Sequence, residues 1–162
     1  MIELHFLSQL LNYLQTTLVP NRGFLKTRLA DVSLYFCGLA WISLWSTIID
    51  SIFLQQSIPF IIWFILHFIF IAIAILLYLL SVSYLNRWFI QWILPRPWAF
   101  RQVFPYTVAA NIWTFPIGVF LYQFGYPTLG VVFIIAGHLI YSLTPLLLAR
   151  LKKKSSRPSS WN

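Results

Sequence analysis

Four long apolar runs dominate the chain, separated by short polar stretches. They predict membrane-spanning helices over 32–49, 59–80, 104–124 and 128–149. The first, Val32–Ile49, has Asp31 and Asp50 just outside its ends. It would be about 27 Å long, slightly under a hydrocarbon core of ~30 Å. The second begins at Pro59, a favourable first helical residue, and stays apolar to Leu80 or Leu85. A helix reaching Leu85 would be about 42 Å long and must tilt or protrude. The segment from Trp88 to Leu94 is too short to span, but Trp88 and Trp92 lie one turn apart and suit the headgroup level. Pro95 and Pro97 end it. The third run contains Pro116, where a kink is expected.

Residues 1–19 follow another pattern. Leu4, Leu7, Leu11, Leu14 and Leu18 recur at helical spacing, with Ser8, Gln9, Asn12, Gln15 and Thr16 elsewhere around the helix. That describes an amphipathic helix in the inner interface, or the same stripe packed on protein; the pattern leaves both open. Pro20 and Gly23 then break the helix before a basic turn. Residues 152–162 carry no packable stripe and read as a basic, disordered tail beside anionic lipid. The expected architecture is all-α: one membrane domain over 1–151, with four transmembrane helices and an N-terminal interfacial helix.

Small residues suggest how two spans meet. Ala110, Thr114 and Gly118 recur every four residues in the third run. Gly130, Gly137 and Thr144 recur every seven in the fourth. The two seams are expected to face each other, because small residues let helix backbones approach closely in lipid.

Composition agrees with a membrane class: 60% hydrophobic and 9% charged residues, with mean hydropathy +0.80. The net charge of +8 comes from eleven basic residues in three clusters. These are Arg22, Lys26 and Arg28; Arg87, Arg96 and Arg101; and Arg150, Lys152, Lys153, Lys154 and Arg157. No basic residue follows the first or third run before the next begins, which is the positive-inside pattern. It predicts that both termini and the central loop are cytoplasmic, in a bacterial inner membrane or an equivalent internal membrane. Because the charges sit at the ends of apolar runs, they point to anionic headgroups as partners rather than nucleic acid. Cys37 is the single cysteine, so no intrachain disulfide is possible. Met1–His5 lacks the basic start of a secretory signal, so no cleavage is expected.

The catalytic inventory is thin. Glu3, Asp31 and Asp50 are the acids, and none falls inside an expected span, so no paired carboxylates arise for hydrolysis or a two-metal site. Asp31 is expected to pair with Arg28, and Asp50 to be solvated on the outer side. Serines 33, 43, 46, 81, 83 and 142 are expected to bond the carbonyls of their own helices. The one constellation is His67 with His138. Counting from the outer ends of the second and fourth runs puts both about 14 Å deep. At matched depth they could ligate a haem or relay protons, making a small carrier or redox protein the alternative reading. The bulk of Trp63, Phe64 and Phe70 around His67 favours a structural role instead, with no cofactor and no metal.

Two stretches resemble a known family. Leu18-Val19-Pro20-Asn21-Arg22-Gly23-Phe24-Leu25, closing an N-terminal helix, is similar to the entry of Yip1-domain membrane proteins. Phe100-Arg101-Gln102-Val103-Phe104-Pro105-Tyr106 is similar to the entry of the span after that family's central loop. Those proteins usually have five spans, whereas the charge pattern here supports four. The resemblance implies a non-enzymatic membrane scaffold, which in eukaryotic relatives acts in vesicle traffic with small GTPases, and no catalytic residues. The resulting expectation is a scaffold, assembly factor or complex subunit that contacts membrane lipids and a membrane-protein partner or a second copy of itself.

Overall fold

The computed structural model describes residues 2–53, 58–94 and 97–155, with side chains described for 6–53, 58–94 and 97–151. The elements run α1 (Ile2–Thr16), a 3-10 segment (Arg22–Leu29), α2 (Val32–Phe53), α3 (Phe60–Ile93), α4 (Phe100–Asn111), α5 (Thr114–Gln123) and α6 (Pro127–Ser155), with no strand among the described residues. Three stretches are long and apolar enough to cross a membrane alone: Val32–Phe53, Phe60–Ile93 and Pro127–Leu151. The pair α4–α5, bent by 42°, passes only together and would make a fourth. The chain is therefore membrane-embedded and all-helical.

Each helix boundary has a local cause. Helix α3 starts after Pro59 and ends at Leu94, which is extended at φ −105°, ψ 142°. The residue before a proline is pushed out of the helical region, and Pro95 follows Leu94. Its 34 residues make one helix of about 51 Å, so the segment from 81 onward continues the second run rather than forming a separate anchor. The third run breaks at Ile112 and Trp113, between α4 and α5. Pro116 lies four residues after Ile112, where its ring crowds the Ile112 carbonyl and has no N–H to offer it. The expected kink is present, one turn before the proline that causes it.

Helix α4 is the centre of the bundle. Val103 and every residue from Pro105 to Ile112 are buried. Helices α2, α3 and α6 and the 3-10 segment all pack against it. Phe24 and Trp98 both meet the ring of Tyr106 edge-on, at 5.2 and 5.3 Å. The Tyr106 hydroxyl donates to the Ser142 carbonyl at 2.7 Å. Asn21 caps the 3-10 segment by accepting from the Gly23 and Phe24 amides, which fixes Phe24 in that core.

The seam between the third and fourth runs forms where α5 meets α6. A Cβ at Gly130 would lie 2.5 Å from the Gly118 carbonyl oxygen and 2.8 Å from the Tyr122 amide nitrogen. One at Gly137 would lie 2.8 Å from the Thr114 methyl carbon. Ala110 is buried as well. Thr144, the third residue of the α6 seam, is half-buried.

Helix α1 divides into three sectors. Phe6, Leu10, Tyr13 and the following Thr17 turn towards the protein, half-buried to buried. Leu7, Leu11 and Leu18 stay exposed on a second side, and the polar residues Ser8, Asn12 and Gln15 on a third. Successive residues advance about 100° around the axis, so the leucine sector lies between the other two, about 110° from the docking sector and about 90° from the polar one. Leu7, Leu11 and Leu18 of the leucine stripe are thus left off the protein, while Leu14, at the border of the two sectors, packs against the core. The C-terminal end of α1 is tied down instead by Trp113 Nε1 donating to Thr17 Oγ1 at 3.0 Å and the Tyr141 hydroxyl donating to the Leu18 carbonyl at 2.6 Å.

Other boundaries differ from those expected. The first span extends to Phe53, which brings Asp50 inside α2. Helix α6 continues through Ser155, so residues 152–155 of the expected tail are helical. Residues 156–162, and with them Arg157, lie outside the described residues, as does Arg96.

Replacing Gly130 by Ala should cost about 1–3 kcal/mol, because backbone atoms on α5 cannot rotate away from the added carbon. Leu147→Ile, on an exposed position, should stay within ~0.5 kcal/mol. Melting curves of the detergent-purified variants measure the difference, and equal melting temperatures would remove the case for backbone contact at this seam.

Candidate functional site

Three helices contribute two polar residues each to one buried cluster. Tyr78 and Asn86 lie on one face of α3, Thr107 and Asn111 one turn apart on α4, and His138 and Ser142 one turn apart on α6. Asn86 Nδ2 donates to Thr107 Oγ1 at 2.9 Å and to Ser142 Oγ at 3.3 Å. Asn111 Nδ2 donates to the Thr107 carbonyl at 2.8 Å and to His138 Nδ1 at 2.9 Å. The Tyr78 hydroxyl donates to Asn111 Oδ1 at 3.4 Å. Thr107 Oγ1 donates back to the Val103 carbonyl at 3.0 Å.

This pattern assigns the imidazole tautomer. Nδ1 accepts from Asn111, so the proton sits on Nε2, which donates to Asn86 Oδ1 at 3.3 Å with Ser142 Oγ at 3.2 Å beside it. His138 is neutral in this arrangement. Both amide hydrogens of each asparagine are used, and each asparagine oxygen accepts. Such a saturated network joins three helices in an order that a purely apolar contact would not specify.

A second cluster lies near the opposite end of α3. Asp50 of α2 meets His67 Nε2 through Oδ2 at 2.9 Å and accepts from Gln123 Nε2 of α5 through Oδ1 at 2.7 Å. Trp63, one turn before His67, stacks on its ring at 4.4 Å with planes 17° apart. The Asp50 side chain is 13% exposed and that of His67 22%. Asp50 is therefore paired, not solvated, because α2 runs past it and carries it against α3. Between the clusters lies a crevice of about 300 Å³, lined by Ser46, Asp50, Ala74, Tyr78, Phe115 and Val119 among others.

The two histidines do not share a site. On α3, His138 meets Asn86, nineteen residues beyond His67 and about 28 Å further along the axis. Counting from the ends of the runs assumed that the second and fourth begin at one level. In fact α3 has already passed Phe60–Leu66 when it reaches the level of Asp50 and Gln123, whereas α6 begins just after Gln123. Both His138 nitrogens are engaged, and no group of three potential metal ligands occurs among the described residues.

Four of the six serines behave as expected; Ser33, in the first turn of α2, makes no such bond among the described residues. Ser43, Ser46, Ser81 and Ser83 donate to carbonyls one turn back on their own helices. Ser142 instead joins the network. Of the basic residues, Arg22, Lys26, Arg87, Arg101 and Arg150 are exposed. Arg28 does not pair with Asp31; its guanidinium carbon lies 4.7 Å from the centre of the Trp98 ring. The side chains of Lys152, Lys153 and Lys154 lie outside those described.

Asn86, Thr107 and Gln123 were not singled out from the sequence. The available signal was their rarity: a polar amide inside a strongly apolar run needs a partner. No family model, curated protein or solved structure matches this chain.

A double-mutant cycle tests whether Asn86 and His138 act together. Asn86→Ala and His138→Ala should each destabilise the protein, with a coupling of ~0.6–1.7 kcal/mol in the unfolding free energy, the range found for interhelical hydrogen bonds in lipid. Additive single effects in detergent unfolding would show that the contact does not join α3 to α6.

Proposed function

We propose that the chain is a non-enzymatic, multi-pass membrane protein serving as a scaffold, assembly factor or subunit of a membrane complex. The observation that carries this reading is the bare flank of α3. Only 6% of its most apolar window is buried within the chain. Leu66, Phe70, Ile73, Leu77, Tyr84 and Trp88 are all exposed and fall on one face. The spacing from Leu66 to Leu77 alternates four, three and four residues, the repeat with which one helix packs along another. The interior supports the same reading, since its polar groups bond to each other instead of lining a path. The resemblance to Yip1-domain proteins points the same way.

In this reading the bent pair crosses once, giving four spans with both termini and the Phe100–Arg101 turn cytoplasmic. The basic clusters fit that orientation. Helix α1 then lies in the inner interface with leucines towards lipid, polar residues towards water and Tyr13 against the bundle. The membrane is a bacterial inner membrane or its equivalent. Anionic lipids meet Arg22, Arg87, Arg101 and Arg150, and a membrane protein or second copy covers α3.

Photo-crosslinking residues at Phe70, Ile73 or Leu77 should yield a discrete protein adduct in native membranes, and one at Ile135 on α6 should not. Adducts with lipid alone from all three α3 positions would sink the scaffold reading.

Orientation has its own test in a Cys37→Ser background. A cysteine at Gly125 should react with an impermeant thiol reagent added outside, and one at Ala99 only after permeabilisation. Labelling of both from one side would mean that α4–α5 does not cross.

A further inference from the structure

Helix α1, the 3-10 segment and the start of α2 line an open cavity of about 410 Å³. Asn12, Tyr13, Lys26, Leu29, Asp31 and Leu34 are among its lining residues. Two opposite charges stand in that lining. Lys26 and Asp31 are both exposed, and neither makes an ion pair among the described residues. Arg28, the other cation nearby, is turned away onto Trp98. Tyr13 is 6% exposed, and its hydroxyl has no hydrogen-bond partner. Burial pushes that phenol above its usual range, so it stays neutral and able to donate.

The lining is also divided between polar and apolar groups. Asn12 comes from the polar sector of α1, while Leu29 and Leu34 are apolar and Val32 beside them is exposed. An occupant must therefore carry a cation, an anion and an apolar part. We propose that this cavity is a headgroup site for a phospholipid bearing a phosphoethanolamine group, with its acyl chains along Leu29 and Val32. The phosphate faces the Lys26 ammonium. The lipid's ammonium, with three N–H donors, faces the Asp31 carboxylate and the Asn12 amide oxygen.

The same lining selects against the commonest alternatives. A choline headgroup has no N–H to give Asp31 and is usually recognised by a cage of aromatic rings. Among the described residues, Tyr13 is the single aromatic one lining this cavity. A glycerol headgroup offers Asp31 no cation, and its phosphate would meet that carboxylate unscreened. The volume lies at the lower end of the range for small-molecule sites, which suits a headgroup and not a whole lipid. The site does not depend on what covers α3.

Native mass spectrometry of the detergent-purified chain, incubated with equal amounts of phosphatidylethanolamine, phosphatidylcholine and phosphatidylglycerol of matched acyl chains, tests this. Phosphatidylethanolamine should be retained about tenfold over phosphatidylcholine, the ratio one charged hydrogen bond can supply. Asp31→Asn should abolish that preference, and Lys26→Gln should lower retention of both lipids, each with an unchanged lipid-free melting temperature. Asp31→Glu should keep the preference. Equal retention of the two zwitterionic lipids by the unsubstituted chain would overturn the proposal. So would strongest retention of phosphatidylglycerol, which would indicate an anionic-lipid surface only. Displacement of the lipid by an equal concentration of glycerophosphoethanolamine would overturn the lipid as source and indicate a soluble ligand.

Discussion

A polar group inside a bilayer must find its partner within the protein, and this fold depends on that requirement being met around α4. The chain interrupts a helix at Ile112 and Trp113 and puts two asparagines, a threonine and a histidine in the interior. Either feature would be costly facing lipid. Both become tolerable because α2, α3, α6 and the 3-10 segment enclose α4, leaving Ile112 fully buried. The enclosing helices are held in turn by what they enclose. Asn86, Asn111 and His138 each bond across to another helix, so no one of them is satisfied alone.

The region before α2 belongs to the same arrangement. Trp113 stands at the break, and its indole N–H finds Thr17 at the end of α1. Tyr141, beside the network on α6, reaches the Leu18 carbonyl. The 3-10 segment then sends Phe24 against Tyr106 and Tyr141. Residues 13–28 thus strap the side of the bundle at which α4 bends away from α5. The opposite end is held differently, by a carboxylate between an imidazole and an amide. Helix α3 thus meets α4 and α6 through the asparagine–histidine network at one level, and α2 and α5 through Asp50 at another.

Much of the helical framework was legible because apolar run length and proline position are local properties. Pro59, Pro95 and Pro116 mark two helix ends and the bend, and Gly118 with Gly130 marks the close approach. What was not legible depends on the relative level of helices. Nothing in the sequence near His67 says that α3 begins further out than α6, so the histidines were matched by count and are separated in space. Asp50 was misread for a related reason: its environment is made by His67 and Gln123, seventeen and seventy-three residues away. The leucines of α1 were visible, but the sector that docks it, Phe6, Leu10, Tyr13 and Thr17, has the same helical spacing with mixed polarity and stands out less than the leucines do. Arg28 was assigned to its neighbour Asp31, yet its guanidinium lies over the ring of Trp98.

The weakness of α4 as a lone apolar segment bears on how the chain enters a membrane during synthesis. A segment leaves the insertion machinery for lipid according to its own hydrophobicity. Helices α2, α3 and α6 meet that standard singly, and the bent pair only as a pair. With Arg101, Gln102, Thr107 and Asn111 along its length, α4 has little reason to partition before its partners exist. Asn86 is already made when α4 emerges, but His138 is not, being synthesised twenty-seven residues after Asn111. Until α6 arrives, the amide of Asn111 lacks its histidine partner. Helix α6 thus completes the environment of α4, which precedes it in synthesis.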